Sequence, residues 1–145
     1  MADLISHIDQ AKHNEKCANL LLNNAPEFRD WAITAAFYAA VHLVEACFAS
    51  RDDIRHTEIA LDRAKGEEMH GYRLRKVEKL AGKRAYRSYK KLYNASRDVR
   101  YLAKGSDKAL LAIEYYDEEA TRRLVQGDLS HVRTELERAF GLKLS

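Results

Sequence analysis

The chain has 145 residues, a mass of 16.7 kDa and a formal net charge of +3. This length suits one domain, residues 1–145, that can bury a core of its own. With 46% hydrophobic and 32% charged residues, a single proline and six glycines, the composition excludes disordered, collagen-like and turn-rich all-β proteins. The two cysteines are too few for a disulfide scaffold, and the first ten residues lack the features of a signal peptide. We therefore expect a cytoplasmic protein with reduced thiols.

Apolar residues at helical spacing predict four main helices in chain order. Asn23, Asn24 and Pro26 separate the first two of them, and Asp117 is a good N-cap for the last. The predicted helices run from about Leu4 to Asn23, Pro26 to Ser50, Arg84 to Ala103, and Asp117 to Gly141, the last one crossing Gly127.

The segments between these helices are less regular. Residues 51 to 70 are predicted to be a connector in which Thr57 caps a short helix. A basic helical segment from Tyr72 to Leu80 follows, with a break near Gly82, and Gly105 is expected to stop the long helix. The stretch from Lys108 to Tyr116 fits either a loop or a short helix.

Mostly short connections favour antiparallel neighbours, so the fold is predicted to be all-α, an antiparallel four- to five-helix up-and-down bundle. The second helix is a candidate for a membrane-spanning segment, because residues 31 to 49 carry only Thr34, His42 and Glu45 as polar side chains. A Glu and a His near the middle of a bilayer would be costly, whereas the centre of a bundle needs a helix that is apolar on all sides. We therefore expect a core helix and no membrane.

Positive charge is concentrated in one part of the chain. Between Gly71 and Arg100 there are eleven Lys and Arg against two acids, or +9, which leaves −6 for the remainder. Cations alternating with aromatic rings on one helical stripe are typical of single-stranded nucleic-acid binding, and two neighbouring arginines can clamp one phosphate. The stripe consists of Tyr86, Lys90, Tyr93, Arg97, Arg100 and Lys104. A solvated helix face, or a face that meets the acidic remainder of a second copy, is the alternative.

Histidines are a second kind of candidate functional residue. His42 lies in the apolar helix one turn before Glu45, so it is either a core histidine bonded to that carboxylate or a proton donor and acceptor at a cleft. His42, His56 and His70 recur at intervals of fourteen residues, and Glu67 with His70 forms a single Glu-x-x-His. Bundled carboxylate metal sites use that pair twice. A three-histidine metal site therefore stays an alternative, and we predict neither a metal nor a cofactor.

Two motifs resemble the HEPN superfamily of helical bundles over about residues 5 to 140. One is AFYAAVHLVEACFA, with Tyr38 and His42, and the other is YKKLYNASRDVRYLAKG, with Tyr93, Arg97 and Tyr101. The resemblance implies a four- or five-helix bundle that is commonly a dimer. Many members are metal-independent ribonucleases of toxin and antiviral systems. Their motif is an Arg, usually a polar residue, and a His four to six residues after the Arg.

This chain keeps only the first half of that motif, as Arg97 and Asp98. Leu102, Ala103 and Lys104 occupy the positions of the histidine, and none of them shuttles a proton near neutrality. The resemblance therefore implies an RNA- or nucleotide-binding regulatory module with a degenerate nuclease motif. Such a module would belong to a toxin–antitoxin or defence system, as a homodimer or with a nucleotidyltransferase or antitoxin partner.

A ribonuclease with a shifted histidine is the first alternative, and a metal-binding bundle is a further one. The candidate catalytic residues are His42, Arg97, Asp98, Arg100 and Tyr101, with His56 or His70 able to supply the missing imidazole.

Overall fold

The computed structural model describes residues 2–57, 68–102 and 111–145, and these residues form helices without any strand. The all-α prediction is therefore confirmed. Two 3-10 turns, Pro26–Phe28 and Ala112–Tyr115, and a π-helical segment, Arg123–Asp128, accompany the α-helices. The α-helices are α1 (Leu4–Asn24), α2 (Arg29–Ala49), α3 (Met69–Tyr101), α4 (Glu118–Arg122) and α5 (Leu129–Phe140).

Local capping fixes the helix ends where the sequence predicted them. The carboxylate of Asp3 accepts a hydrogen bond from the Ser6 N–H at 2.8 Å, and that of Asp117 accepts one from the Ala120 N–H at 2.7 Å. Gly141 ends α5 with a φ of +64°, a left-handed conformation that glycine adopts at little cost. The π-helical segment, which the sequence did not predict, joins α4 to α5 without a break in the chain direction.

Helix α3 is broken at the predicted position but ends earlier than predicted. Gly82 has φ 90° and ψ 178°, so it divides α3 into an N-terminal and a C-terminal arm. Leu102 then ends the helix with a φ of 52°, and its N–H donates to the carbonyl of Asp98. The predicted end at about Ala103 is thus two residues beyond the observed end at Tyr101. The short helix after Thr57, the stop at Gly105 and the start of the ambiguous stretch at Lys108 lie outside the described residues, whereas Ala112–Tyr115 is a 3-10 turn.

Contacts between neighbouring helices show that α1 runs antiparallel to α2, and that the C-terminal arm of α3 runs antiparallel to α5. His7 near the start of α1 meets His42 near the end of α2, and Glu45 of α2 pairs with Arg73 at the start of α3. Helices α3 and α5 also run in opposite directions, because Ser88 contacts His131 while Lys91 approaches Asp128. Glu15 of α1 is ion-paired with Arg133 of α5, which closes the bundle.

Helix α2 forms the centre of the bundle and contacts α1, α3 and α5. The segment Pro26–Ala49 is long and apolar enough to cross a bilayer, yet 78% of its most apolar 18-residue window, which has a mean hydropathy of 1.6, is buried within the protein. A core helix meets the same length and hydropathy criteria. Burial also raises the pKa of the Cys47 thiol to about 12, so this cysteine stays protonated and unreactive.

Candidate nucleic-acid interface and histidine cavity

Cations and rings alternate along the C-terminal arm of α3. The Lys90 ammonium lies 5.4 Å from the centre of the Tyr86 ring, and the Arg97 guanidinium carbon lies 5.6 Å from the centre of the Tyr93 ring. Both cations are exposed, and both tyrosines are half-buried against the core. Each pair spans four residues, so two cation–π pairs stack along one side of the helix. Lys104, the last residue of the predicted stripe, lies outside the described residues.

Arg100 is held in place by neutral groups. Its Nη1 donates to the Tyr38 hydroxyl at 2.9 Å and its Nε to the Ser96 carbonyl at 3.2 Å. Its guanidinium carbon also lies 5.0 Å from the centre of the exposed Tyr101 ring. In residues 2–57, 68–102 and 111–145, neither Arg97 nor Arg100 forms an ion pair with a carboxylate. Both positive charges thus remain able to attract an anion.

The carboxylate of Asp98 contacts a residue that neither Arg97 nor Arg100 is seen to contact. Its Oδ2 accepts a hydrogen bond from the Tyr116 hydroxyl at 2.7 Å. Burial, together with this carboxylate, raises the pKa of Tyr116, so the phenol stays protonated. Asp98 therefore joins α3 to the segment that precedes α4, and its carboxylate is occupied by a structural contact.

His70 is the histidine that the structure brings towards the arginines. Its ring centre lies 5.4 Å from those of Phe37 and Tyr93, and its Nδ1 lies 3.4 Å from Nη1 of Arg73. Burial lowers its pKa, and the positive charges of Arg73, Arg100 and Arg97 lower it further. The imidazole is therefore neutral at pH 7, and it packs against Tyr93 and Phe37, the rings that Arg97 and Arg100 also contact.

His42 lies elsewhere, in a cavity of about 170 Å³ at the junction of α1, α2 and the start of α3. Its Nδ1 is hydrogen-bonded to Nδ1 of His7 at 3.0 Å, with one ring donating and the other accepting. Burial lowers the pKa of both rings, so the pair is neutral at pH 7. The polar side chains lining the cavity are His7, His42, Glu45, His56, Thr57 and Arg73.

A buried ion pair forms the floor of this histidine cavity. Nε of Arg73 donates to Oε1 of Glu45 at 2.6 Å, and the Thr57 hydroxyl donates to the same oxygen. Both charged side chains are 8% exposed. Glu45 is thus bonded to Arg73 and Thr57, because a buried carboxylate is stabilised more by a guanidinium than by a neutral imidazole. His42 forms its hydrogen bond with His7 instead. The suggested bond between His42 and Glu45 is therefore replaced by a pair of His42 with His7 and a pair of Glu45 with Arg73.

Metal ligands are not grouped in the part of the chain that the structure describes. No cluster of three or more His, Cys, Asp or Glu side chains there has the geometry to hold a metal ion. His42 and His56 line the same cavity, whereas His70 contacts Arg73 and is not one of the lining residues. Glu67, the partner of His70 in the Glu-x-x-His pattern, lies outside the described residues.

Two residues of the cavity were not singled out from the sequence, although each left a signal. His7 falls on the apolar stripe of α1, three residues after Leu4 and four before Ala11, where a polar side chain needs a buried partner. Arg73 lies four residues before Val77, which is buried, so it is a charged residue on a core-facing stripe. A buried arginine predicts a carboxylate partner but does not identify it.

Comparisons with known proteins returned no match to a family model, a curated protein or a solved structure.

Proposed function

We propose that the chain binds single-stranded RNA or nucleotides through the C-terminal arm of α3. The basic–aromatic face, defined as Tyr86, Lys90, Tyr93, Arg97 and Arg100, carries the proposal. The observation that supports it most is that Arg97 and Arg100 are positioned by aromatic rings and neutral oxygens rather than by carboxylates within the described residues. Such cations are available to phosphate, and the neighbouring rings can stack on bases.

The resemblance to HEPN bundles gives this binding a biological context. The proposed role is that of a HEPN-like regulatory module of a toxin–antitoxin or defence system, cytoplasmic and homodimeric, with a nucleotidyltransferase or antitoxin as a further partner. Asp98 and the residues after it support binding without cleavage. The carboxylate of Asp98 is bonded to Tyr116, and no histidine follows Arg97 at the spacing of the nuclease motif.

Anisotropy of a labelled single-stranded RNA, measured at several salt concentrations, tests the proposal. Substituting Arg97→Ala or Arg100→Ala should weaken binding about ten-fold or more, and each lost phosphate contact should reduce the salt slope by about 1. Arg122→Ala is the matched control, because this exposed arginine lies on α4 near Asn23, away from α3. Equal affinity of the Arg97 and Arg122 variants would contradict the proposal.

A ribonuclease is the second candidate, and the position of His70 favours it. His70 packs on Tyr93 and Phe37, the rings that Arg97 and Arg100 also contact, so a neutral imidazole here can accept the proton of a 2′-OH while the arginines hold the phosphate. The 2′-oxygen would then attack phosphorus, and the 5′-oxygen would leave and take a proton from water, to which His70 returns the proton that it accepted. A 2′,3′-cyclic phosphate would remain. The candidate residues are Arg97, Arg100 and His70, and here His42 and His56 belong to the separate histidine cavity.

Cleavage that resists EDTA and leaves a cyclic phosphate would support this second function. His70→Ala should abolish it, whereas His131→Ala, a substitution on α5 next to Ser88, should leave it unchanged. His42→Ala distinguishes the two histidine positions, since loss of cleavage in that variant alone would assign the chemistry to the histidine cavity. A pure preparation that never cuts RNA would leave binding as the function.

A further inference from the structure

A small groove adjoins the basic–aromatic face at Arg100. It lies between the start of α2 and the end of α3 and has a volume of about 140 Å³. Trp31 forms one of its walls, although 59% of this side chain is exposed, and it is the single tryptophan of the chain. The lining residues are Asp30, Trp31, Thr34, Val99 and Arg100.

The groove combines three features that a nucleobase requires. The exposed indole of Trp31 offers a flat face for stacking, and Val99 offers an apolar contact. Arg100 supplies a positive charge that forms no ion pair in the described part of the chain, and its guanidinium lies against Tyr101 as well. The groove is smaller than the ~300–1,000 Å³ of sites for drug-sized ligands, which suits one base rather than a larger molecule.

We propose that this groove binds one base of the RNA strand that lies on the basic–aromatic face. This inference rests on the proposed RNA-binding function and adds a base-specific site to it. Trp31 stacks on the base, and Arg100 contacts the phosphate that links this base to the rest of the strand. The strand then continues over Arg97 and Tyr93 towards the start of the C-terminal arm.

The carboxylate of Asp30 determines which base the groove prefers. Asp30 lines the groove, and among the described residues no donor is hydrogen-bonded to its carboxylate, while the Thr34 hydroxyl donates to the Asp30 backbone carbonyl. A carboxylate only accepts hydrogen bonds, and its two oxygens match two adjacent donors. Guanine presents such a pair at N1–H and the 2-amino group. Adenine and cytosine place an acceptor beside their amino group, and uracil flanks its N–H with two carbonyls. Guanine is therefore the base that this groove selects.

The emission of Trp31 tests the inference directly, because no other tryptophan contributes. The probes are a single-stranded oligouridine and the same oligomer with one central guanosine. We expect the guanosine oligomer to bind more tightly and to quench the emission over the same concentration range as it changes the anisotropy. Trp31→Ala should weaken its binding about ten-fold, and Trp31→Phe, which retains a ring, should restore most of the affinity.

Two variants separate stacking from base selection. Asp30→Asn should equalise the affinities for the two oligomers, because an amide no longer offers two acceptors to guanine, while binding of oligouridine stays unchanged. Phe28→Ala is the matched control, since Phe28 is also an exposed aromatic residue near the start of α2 but does not line the groove. Circular dichroism of each variant checks the fold.

The outcomes distinguish this inference from the function on which it rests. Binding that depends on Arg97 but leaves the Trp31 emission and the Trp31→Ala affinity unchanged overturns the base site and keeps the RNA-binding face. No binding of either oligomer overturns both. Emission that changes on dilution of the protein alone, together with an altered oligomeric state of Trp31→Ala, assigns the groove to contact between two copies and also overturns the base site.

Discussion

Substituting Arg73→Ala leaves the carboxylate of Glu45 without its cation in the interior of the bundle. Both side chains are only 8% exposed, and the two atoms Nε and Oε1 are 2.6 Å apart, so the pair lies largely out of bulk water. The hydroxyl of Thr57 remains as a donor, but a neutral donor does not compensate a buried charge. The pair also joins the end of α2 to the start of α3. The substitution therefore affects both the stability and the position of the N-terminal arm.

Breaking a buried ion pair from one side costs about 3–5 kcal/mol, a large part of the ~5–15 kcal/mol that stabilises a typical domain. With a shift of about 2–4 °C per kcal/mol, the melting temperature should fall by roughly 6–20 °C. The assay is urea and thermal unfolding followed by circular dichroism. Arg51→Ala is the control, because its ion pair with Asp53 is exposed to solvent and contributes little to stability.

A double variant shows whether the loss comes from the unpaired charge. Glu45→Gln combined with Arg73→Met removes both charges and keeps an acceptor for Thr57, so it should recover most of the stability that Arg73→Ala loses. A loss in Arg73→Ala no larger than that in Arg51→Ala would refute the reasoning. A double variant that is less stable than Arg73→Ala would also refute it.

Three further substitutions or conditions test other features. Burial lowers the pKa of His7 and His42 in the folded protein below the value near 6.5 that they have in the unfolded chain. Their contribution to stability is therefore complete above pH 6.5 and should be lost as the pH falls through the lowered pKa values of the folded protein. A melting temperature that stays unchanged from pH 7.5 to 5 would disprove this. Gly82→Ala should cost about 1–3 kcal/mol, because φ is +90° there, whereas Gly71→Ala within the helix should stabilise by up to about 1 kcal/mol in the same unfolding assay. The hydroxyl of Tyr89 is buried without a hydrogen-bond partner among the described residues, so Tyr89→Phe should leave the free energy of unfolding unchanged or raise it by about 1 kcal/mol, and a clear loss in urea unfolding would show a hidden partner.

Local signals made the helices predictable. Periodic apolar residues, the cap at Asp117 and the glycines at 82 and 141 act over one or two turns, so a single sequence contains all that they require. The end of α3 was placed too late because Leu102 adopts the left-handed conformation in spite of its side chain, and no residue type indicates this. The basic–aromatic stripe was also visible, since it depends on the spacing within one helix.

Contacts between distant segments could not be predicted in the same way. His42 and Glu45 lie one turn apart, and the sequence suggested that they bond to each other. Their actual partners, His7 and Arg73, lie 35 and 28 residues away. Those pairings depend on which faces of the helices meet, and many registers are compatible with one hydrophobic pattern. His70 illustrates the same limit, because only the packing of the two arms of α3 against Phe37 brings it towards the arginines.

The break at Gly82 also changes the electric field of α3. Peptide dipoles add up along a continuous helix and leave a partial positive charge at its first turn and a negative one at its last. Since the backbone leaves the helical conformation at Gly82, the C-terminal arm begins a new series of aligned dipoles, and its positive end coincides with the exposed side chains of Lys83, Arg84 and Arg87. The N-terminal arm ends at the same glycine with its own partial negative charge, so the two helix ends oppose each other there. The positive potential at the middle of this segment therefore comes from its lysine and arginine side chains, and the break adds a local dipole pair rather than a net charge.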